Sequence, residues 1–290
     1  MSLLDHHARP RLKRSQGRRW VALRLPIPAT LGLLVLAFFV LAAVAPGLLT
    51  AKDPYATDLH AVLLPPSAEH WFGTDQSGRD LYTRVVYGTR QSLLIGLGAT
   101  GLAMGIALIL GVAAGLGGRV TDGLINRGLE VLFAFPVLLL AMLFVTIYGP
   151  SVTTQIVAVG LGTAPGYARM IRGQVLAVRH SGYVQAAHAL GHSQLTVLRQ
   201  HVMPNAMRPL LAVVTLGVGQ SIVWASGLAF LGLGVAPPSA EWGALLDAGR
   251  MFITKAWWLE VMPGVAIVAL ALSATAVGRY LQTTLEGAKA

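Results

Sequence analysis

The chain has 290 residues, of which 54% are hydrophobic and only 12% charged, and its mean hydropathy is +0.64. Soluble domains carry about 25% charged residues, so this composition excludes an ordinary water-soluble enzyme and, equally, a disordered chain. With no cysteine there is no disulfide, thiol nucleophile or thiolate metal site, and the formal charge of +10 points to nucleic acid only until the charges are placed.

Crossing a bilayer core as a helix takes about 20 apolar residues. Six stretches meet or approach that length: 29–45, 92–116, 129–147, 152–168, 210–231 and 260–281. The fourth is short, glycine-rich and interrupted by Pro165. The pattern reads as an all-α polytopic membrane protein with about six transmembrane helices.

Charge sets the orientation. Sixteen of the 22 Lys and Arg residues fall on the N-terminal side of the membrane, and eight of the 12 acids fall on or at the edge of the other. This is the positive-inside pattern and places both termini in the cytoplasm. The organisation is then a basic cytoplasmic segment 1–28, a first span 29–45, an extracytoplasmic segment 46–91, a five-helix core 92–281 containing a cytoplasmic loop 169–209, and a cytoplasmic tail 282–290. The basic run from Arg9 to Arg24 is a topology anchor; its single aromatic, Trp20, is not the interleaved aromatic pattern of a nucleic-acid surface. Ala43, Val44 and Ala45 look like a signal-peptide cleavage site, but the apolar run is too long for one and Pro46 follows. An uncleaved anchor is expected.

The segment 46–91 is rich in proline and acids and is expected to be loop plus a short amphipathic helix near Asp80–Arg90. A second outer excursion, 232–258, carries Trp242, Trp257 and Trp258, which suit an interfacial aromatic belt. In the second span, Gly101/Gly105 and Gly111/Gly115 are small-residue pairs that let helix backbones approach. Gly96, Gly98 and Gly101 also match GxGxxG, yet no strand precedes them, so the match carries no nucleotide site. Pro136, Pro165 and Pro263 predict kinks, which a pathway or plain packing would both accommodate.

No Asp, Glu, Lys, Arg or His lies in the middle of any span, whereas ion-driven carriers place such groups there. The P-loop, HExxH and GxSxG patterns are absent too. Uphill transport by this bundle would therefore draw its energy from elsewhere; the competing class is an ATP-independent channel or ion-coupled carrier. Gln155, Gln220, Ser221, Trp224 and Ser226 are the candidates for a substrate pathway, with helix packing as the alternative. His180, His188, His192 and His201 have no carboxylate beside them on their loop and read as helix-surface residues rather than a metal site.

The loop 169–209 is longer than a connector requires. Ser181 can cap a helix whose Tyr183, Ala186, Ala187 and Leu190 form one apolar face, and Gly191 stops it. Ser193 can cap a second helix with Leu195, Leu198 and Val202 in a stripe, ended by Pro204. Such an element is a compact ridge for a partner's groove.

The run Tyr183–Gly191 (YVQAAHALG) followed by Val202, Met203 and Pro204 resembles the EAA motif of ABC-importer permeases. HWFGTD at 70–75 with Gly78, Arg79 and Asp80, PGYAR at 165–169, Arg172 with Gln174, and FLGLG at 230–234 are similar to the C-type permease of the dipeptide/oligopeptide/nickel group. Gln185 replaces the usual Glu, His188 an Arg and Met203 a Leu, and Arg279 stands near a common Gly-Asp. The resemblance implies a type I permease fold in a prokaryotic plasma membrane. It implies an ATPase-coupling loop built on Tyr183, Gln185, Ala186, Ala187, Leu190, Gly191, Met203 and Pro204. It also implies a second homologous permease subunit, two ATP-binding cassette subunits that hold ATP and Mg in place of this chain, and an extracytoplasmic solute-binding protein. Peptides are the implied solute, with nickel or a metal chelate as the alternative.

Overall fold

The computed structural model describes residues 26–287, so the basic run Arg9–Arg24 and the last residues of the tail lie outside the described residues. Helix α1 (Ile27–Val44) is followed by irregular chain and two short 3-10 turns up to Asp80. Asp80 then opens α2 (Leu81–Leu116), its carboxylate accepting the Thr83 N–H at 2.9 Å. No proline interrupts the next 36 residues, so the short helix expected near 80–90 and the second span are one rod about 54 Å long.

Helices α3 (Arg119–Ala134) and α4 (Val137–Tyr148) meet at an 80° bend. The bend sits at Phe135 and Pro136, where Phe135 takes the extended conformation that a following proline favours. Pro165 lies inside α5 (Val152–Arg179) and Pro263 inside α11 (Trp258–Gly287), and neither breaks its helix. Between them come α6 (Gly182–Ala189), α7 (Gln194–Val197), a π-helical turn Leu198–Val202, α8 (Met203–Met207) and α9 (Leu210–Leu228), which closes in a second π-helical turn, Ala229–Leu233. A short helix α10 (Trp242–Gly249) precedes α11 on the outer side.

Among the described residues four helices are long and apolar enough to cross a membrane, and the bent α3–α4 pair makes five if counted as one span. The expected count of about six is thus met only to that extent. The stretch 152–168 falls outside the apolar set because α5 packs against α2, α3, α4 and α9 and buries Thr154 and Gln155 among them. A helix enclosed by protein need not be apolar all round. The same helix corrects the loop boundary: α5 runs on to Arg179, so Arg169, Arg172 and Gln174 stand on a helix and the connection begins at His180.

The most extensive contact joins α2 to α5. A Cβ on Gly111 would lie 2.6 Å from the Ala168 carbonyl oxygen, and one on Gly115 2.8 Å from Val175 Cβ. Gly98 and Gly160 make equally close approaches, to Ile156 and Leu102. Gly101 and Gly105, the other small-residue pair, face open space.

An outer cap ties the helix ends together. Arg84, buried on α2, donates to the carbonyls of Pro54 (3.4 Å), Pro238 (3.2 Å) and Ser239 (2.9 Å), and its Nε lies 3.6 Å from Asp75. Ser92 donates to Glu241 at 3.1 Å and accepts the Trp242 N–H at 3.0 Å. Burial pushes the Glu241 carboxyl above its ordinary value, against the pull of the Gly243 and Ala244 N–H groups and of Ser92. Two of the three expected belt tryptophans belong to this packing instead: Trp242 and Trp258 are buried, donating to Val85 O and Thr74 O, and only Trp257 is exposed.

Replacing Gly111 by Val should cost about 1–3 kcal/mol through overpacking, while Gly101→Ala should leave the melting temperature of the purified protein unchanged. Burial raises the pKa of Asp80, but hydrogen bonds from the Thr83 N–H, His70, the Thr83 hydroxyl and Lys52 outweigh it and hold the pKa below the ordinary 3.8. A carboxylate with a depressed folded pKa contributes stability that is full above its unfolded value and lost as pH falls through the folded one. Thermal melts should therefore weaken acid of 3.8, and Asp80→Asn should flatten that part of the profile.

Candidate functional site

The segment 180–207 is rigid for local reasons. Helix α6 ends in a Schellman motif: His192 N–H donates to Ala187 O at 3.2 Å and Gly191 N–H to His188 O at 3.0 Å, with Gly191 at φ +80°. Ser193 caps α7 through the Thr196 N–H at 3.3 Å. Ser181 stands at the start of α6, but its hydroxyl turns back to donate to Val178 O at 2.6 Å and caps nothing. Pro204 does not end the second helix. The π-helical turn before it, closed by the Met203 N–H on Leu198 O, absorbs the proline, and helix resumes through Met207.

The buried face differs from the expected one. Val184, Ala187, Val197, Val202 and Ala206 pack with Ile171 and Val175 of α5, Ala107 of α2 and Leu129 of α3. Leu198 is only partly buried. Of the predicted apolar face, Ala187 alone is inside; Tyr183 is 48% exposed, Leu190 79%, and Ala186 is exposed beside them. Gln185 is also exposed, its amide donating to His180 O at 3.3 Å, and Met203 is half-buried with Pro204 exposed. One face thus bolts the element to the bundle, and Tyr183, Ala186 and Leu190 form a free ridge on the other. Arg179 strengthens the junction by donating to the orphan carbonyls of Gly115 and Leu116 at the end of α2.

Nearer the middle of the bundle, a cleft of about 480 Å³ opens between the α3–α4 bend, α5 and α9. Phe133, Phe135, Tyr167, Trp224, Thr163 and Gln220 supply its aromatic and polar lining. Of the five pathway candidates, Gln220 and Trp224 line this cleft, while Gln155, Ser221 and Ser226 are buried between helices. Thr100 donates to Ser221 at 2.9 Å, and Gln155 Nε2 reaches Ala225 O at 3.4 Å. Sequence reasoning did not name Phe133 and Thr163, nor Tyr167 as a lining residue, although Pro136 lies near the first and PGYAR at 165–169 contains the last. It also missed Asp122, which receives two hydrogen bonds from Arg172 at 2.5 and 2.6 Å and so joins α3 to α5. No group of three or more His, Asp or Glu side chains among the described residues is placed to hold a metal ion.

A polytopic helical bundle with a rigid knuckle on one end and an open cleft in its middle defines a membrane permease. A family model described as binding-protein-dependent transport system inner membrane component matches residues 107–287, and the chain belongs to that family. It is 38% identical over 268 residues to the probable D,D-dipeptide transport system permease protein DdpC of Escherichia coli, covering 92% of this chain and 89% of that one. It is 38% identical over 258 residues to the dipeptide transport system permease protein DppC of Alkalihalophilus pseudofirmus, covering 89% and 85%. The glutathione transport system permease protein GsiD of Pectobacterium atrosepticum is 34% identical over 264 residues, covering 91% and 88%. Among solved structures, the inward-facing MetNI methionine ABC transporter shares the fold at TM-score 0.57 and 17% identity, over 69% of this chain and 95% of that one. An amino acid ABC transporter with histidines does so at TM-score 0.55 and 18% identity, over 71% and 95%. The protein is accordingly a multi-pass permease subunit of an ABC importer in the prokaryotic inner membrane, of a family without catalytic activity of its own. Family membership also carries the general assembly of a permease pair, ATPase subunits and a solute-binding protein.

The division into a bolted face and a free ridge is testable. Val184→Ala should destabilise the purified protein by about 1–2 kcal/mol, and Leu190→Ala should stay within about 0.5 kcal/mol of wild type in the same thermal melts.

Proposed function

We propose that this chain forms one half of the translocation pathway of an ATP-driven peptide importer. The observation that carries the reading is the capped element 180–207, seated on the end of α5 with its apolar ridge uncovered. In this reading Tyr183, Ala186 and Leu190 enter a groove of an ATP-binding cassette subunit, and Gln185, Ala187, Gly191, Met203 and Pro204 keep the ridge in shape. Two cassettes, one under this chain and one under a homologous permease subunit, close on ATP and Mg and drive the two ridges together. The cassettes hold both cofactors. Because the α5–α6 junction is itself a hydrogen-bonded turn, with Ser181 N–H donating to Val178 O at 3.0 Å, displacement passes to α5 without being lost in a soft loop.

The spans in this proposal are six: α1, α2, the bent α3–α4 pair, α5, α9 and α11, with both termini cytoplasmic. Solute arrives from an extracytoplasmic binding protein and passes the cleft lined by Gln220 and Trp224. Gln155 and Ser221 act behind that lining, holding α5, α9 and α2 in register, while Ser226 is buried there with no hydrogen-bond partner among the described residues. The printed activities of the relatives, dipeptide, D,D-dipeptide and glutathione transport, support peptides as the solute class.

Gly191→Val tests the coupling role, since a β-branched residue at φ +80° is strained by about 1–2 kcal/mol. In proteoliposomes with the partner subunits, the variant should remain in the membrane and hydrolyse ATP at its basal rate. Peptide uptake should drop about tenfold, a barrier change of roughly 1.4 kcal/mol. Unchanged uptake would remove the loop from the mechanism.

A further inference from the structure

The three arginines of α5 differ in what they face. Arg172 is paired with Asp122 through two hydrogen bonds, and Arg179 caps the carbonyls of Gly115 and Leu116. Arg169, one turn before Arg172, has no hydrogen-bond or ion-pair partner among the described residues. Its guanidinium carbon instead lies 4.1 Å from the centroid of the Phe133 ring. Phe133 lines the central cleft, as do Tyr167 and Met170 on either side of Arg169 along α5. None of the residues that line the cleft is charged, so Arg169, stacked on the Phe133 that does line it, is the cation at its edge.

A guanidinium stacked over an aromatic ring uses its face and leaves its edge of N–H donors free, and that fork matches a carboxylate. The α5 lining of the cleft ends at Met170, so Arg169 stands at that end of the cleft, about 15 Å before the end of α5. A zwitterionic solute crossing an otherwise uncharged, aromatic-lined passage would meet its counter-charge here. A clamp between α3 and α5 does not account for the arrangement, because Asp122 and Arg172 already join those helices.

We propose that Arg169 is a specificity-determining residue of the pathway, receiving the C-terminal carboxylate of a peptide as it leaves the cleft for the cytoplasm. This rests on the peptide reading above. The chain has no cysteine, so Arg169→Cys places a single thiol in this subunit. In the reconstituted importer, R169C should lower uptake of a radiolabelled dipeptide about tenfold, the scale of one lost charge-assisted contact, with basal ATP hydrolysis unchanged. Treatment with 2-aminoethyl methanethiosulfonate, which restores a positive charge, should recover uptake; the anionic 2-sulfonatoethyl reagent should not. Wild-type complex taken through both reagents gives the background. The C-terminally amidated dipeptide should be carried equally by wild type and R169C. Normal uptake of the free acid by R169C, equal effects of the two reagents, or an equal loss for the amide overturns the proposal. Should R169C fail to assemble, Arg169→Lys should keep uptake and Arg169→Gln should lose it, and equal uptake by the two overturns the proposal as well. A wild-type importer that carries no dipeptide at all sinks the peptide reading itself, and Arg169's role with it.

Discussion

Within a bilayer, lipid tails are as apolar as leucine, so helices gain nothing by hiding apolar faces from one another. What holds them is close packing, and in this protein that is concentrated where α2 meets α5. Gly98, Gly111 and Gly115 on one helix and Gly160 on the other bring the backbones near enough for Ala168, Ile171, Val175 and Leu102 to fill the gap. Everything else is placed relative to that seam. The cleft opens between α5, the α3–α4 bend and α9, the bent pair is held to α5 by Asp122 and Arg172, and the element 180–207 sits against the end of α5.

The outer end follows a different rule, because its polar groups leave the lipid and must find partners in protein. Arg84 satisfies three carbonyls from two separate loops, and Glu241 sits in a ring of donors from α10 and Ser92. A buried charge left without such partners costs several kcal/mol, so these contacts fix the loops as much as they hold the charges. The result is a cap in which the segment 46–80, the start of α2 and the chain between α9 and α11 form one body.

The element 180–207 joins local hydrogen bonding to exposure. Val184, Ala187 and Val197 anchor the element, while Tyr183 and Leu190 stay outside. Helix α5 carries the cleft residues Thr163, Tyr167 and Met170 and ends at Arg179, three residues before α6. A single helix therefore spans from the cleft to the element that carries the ridge. The bend at Pro136 lets α3 and α4 form two walls of the cleft where a straight helix would form one.

Much of this was legible in the amino-acid sequence, because one-dimensional signals sufficed. Apolar run length marked the membrane helices, and Gly191 in the YVQAAHALG run marked the turn that ends α6. Tertiary structure decided which face of each helix points where. Tyr183, Ala187 and Leu190 share a helical period, yet only Ala187 turns inward, because the end of α5 lies along that side. Gly101/Gly105 and Gly111/Gly115 are identical patterns, and only the second meets a neighbour within the chain. Trp242 and Trp258 went to the core because Val85 and Thr74 offer carbonyls there. Periodicity states that a helix has two faces; what each face touches depends on neighbours 50 to 150 residues away, as with Asp122 and Arg172 or Ser92 and Trp242.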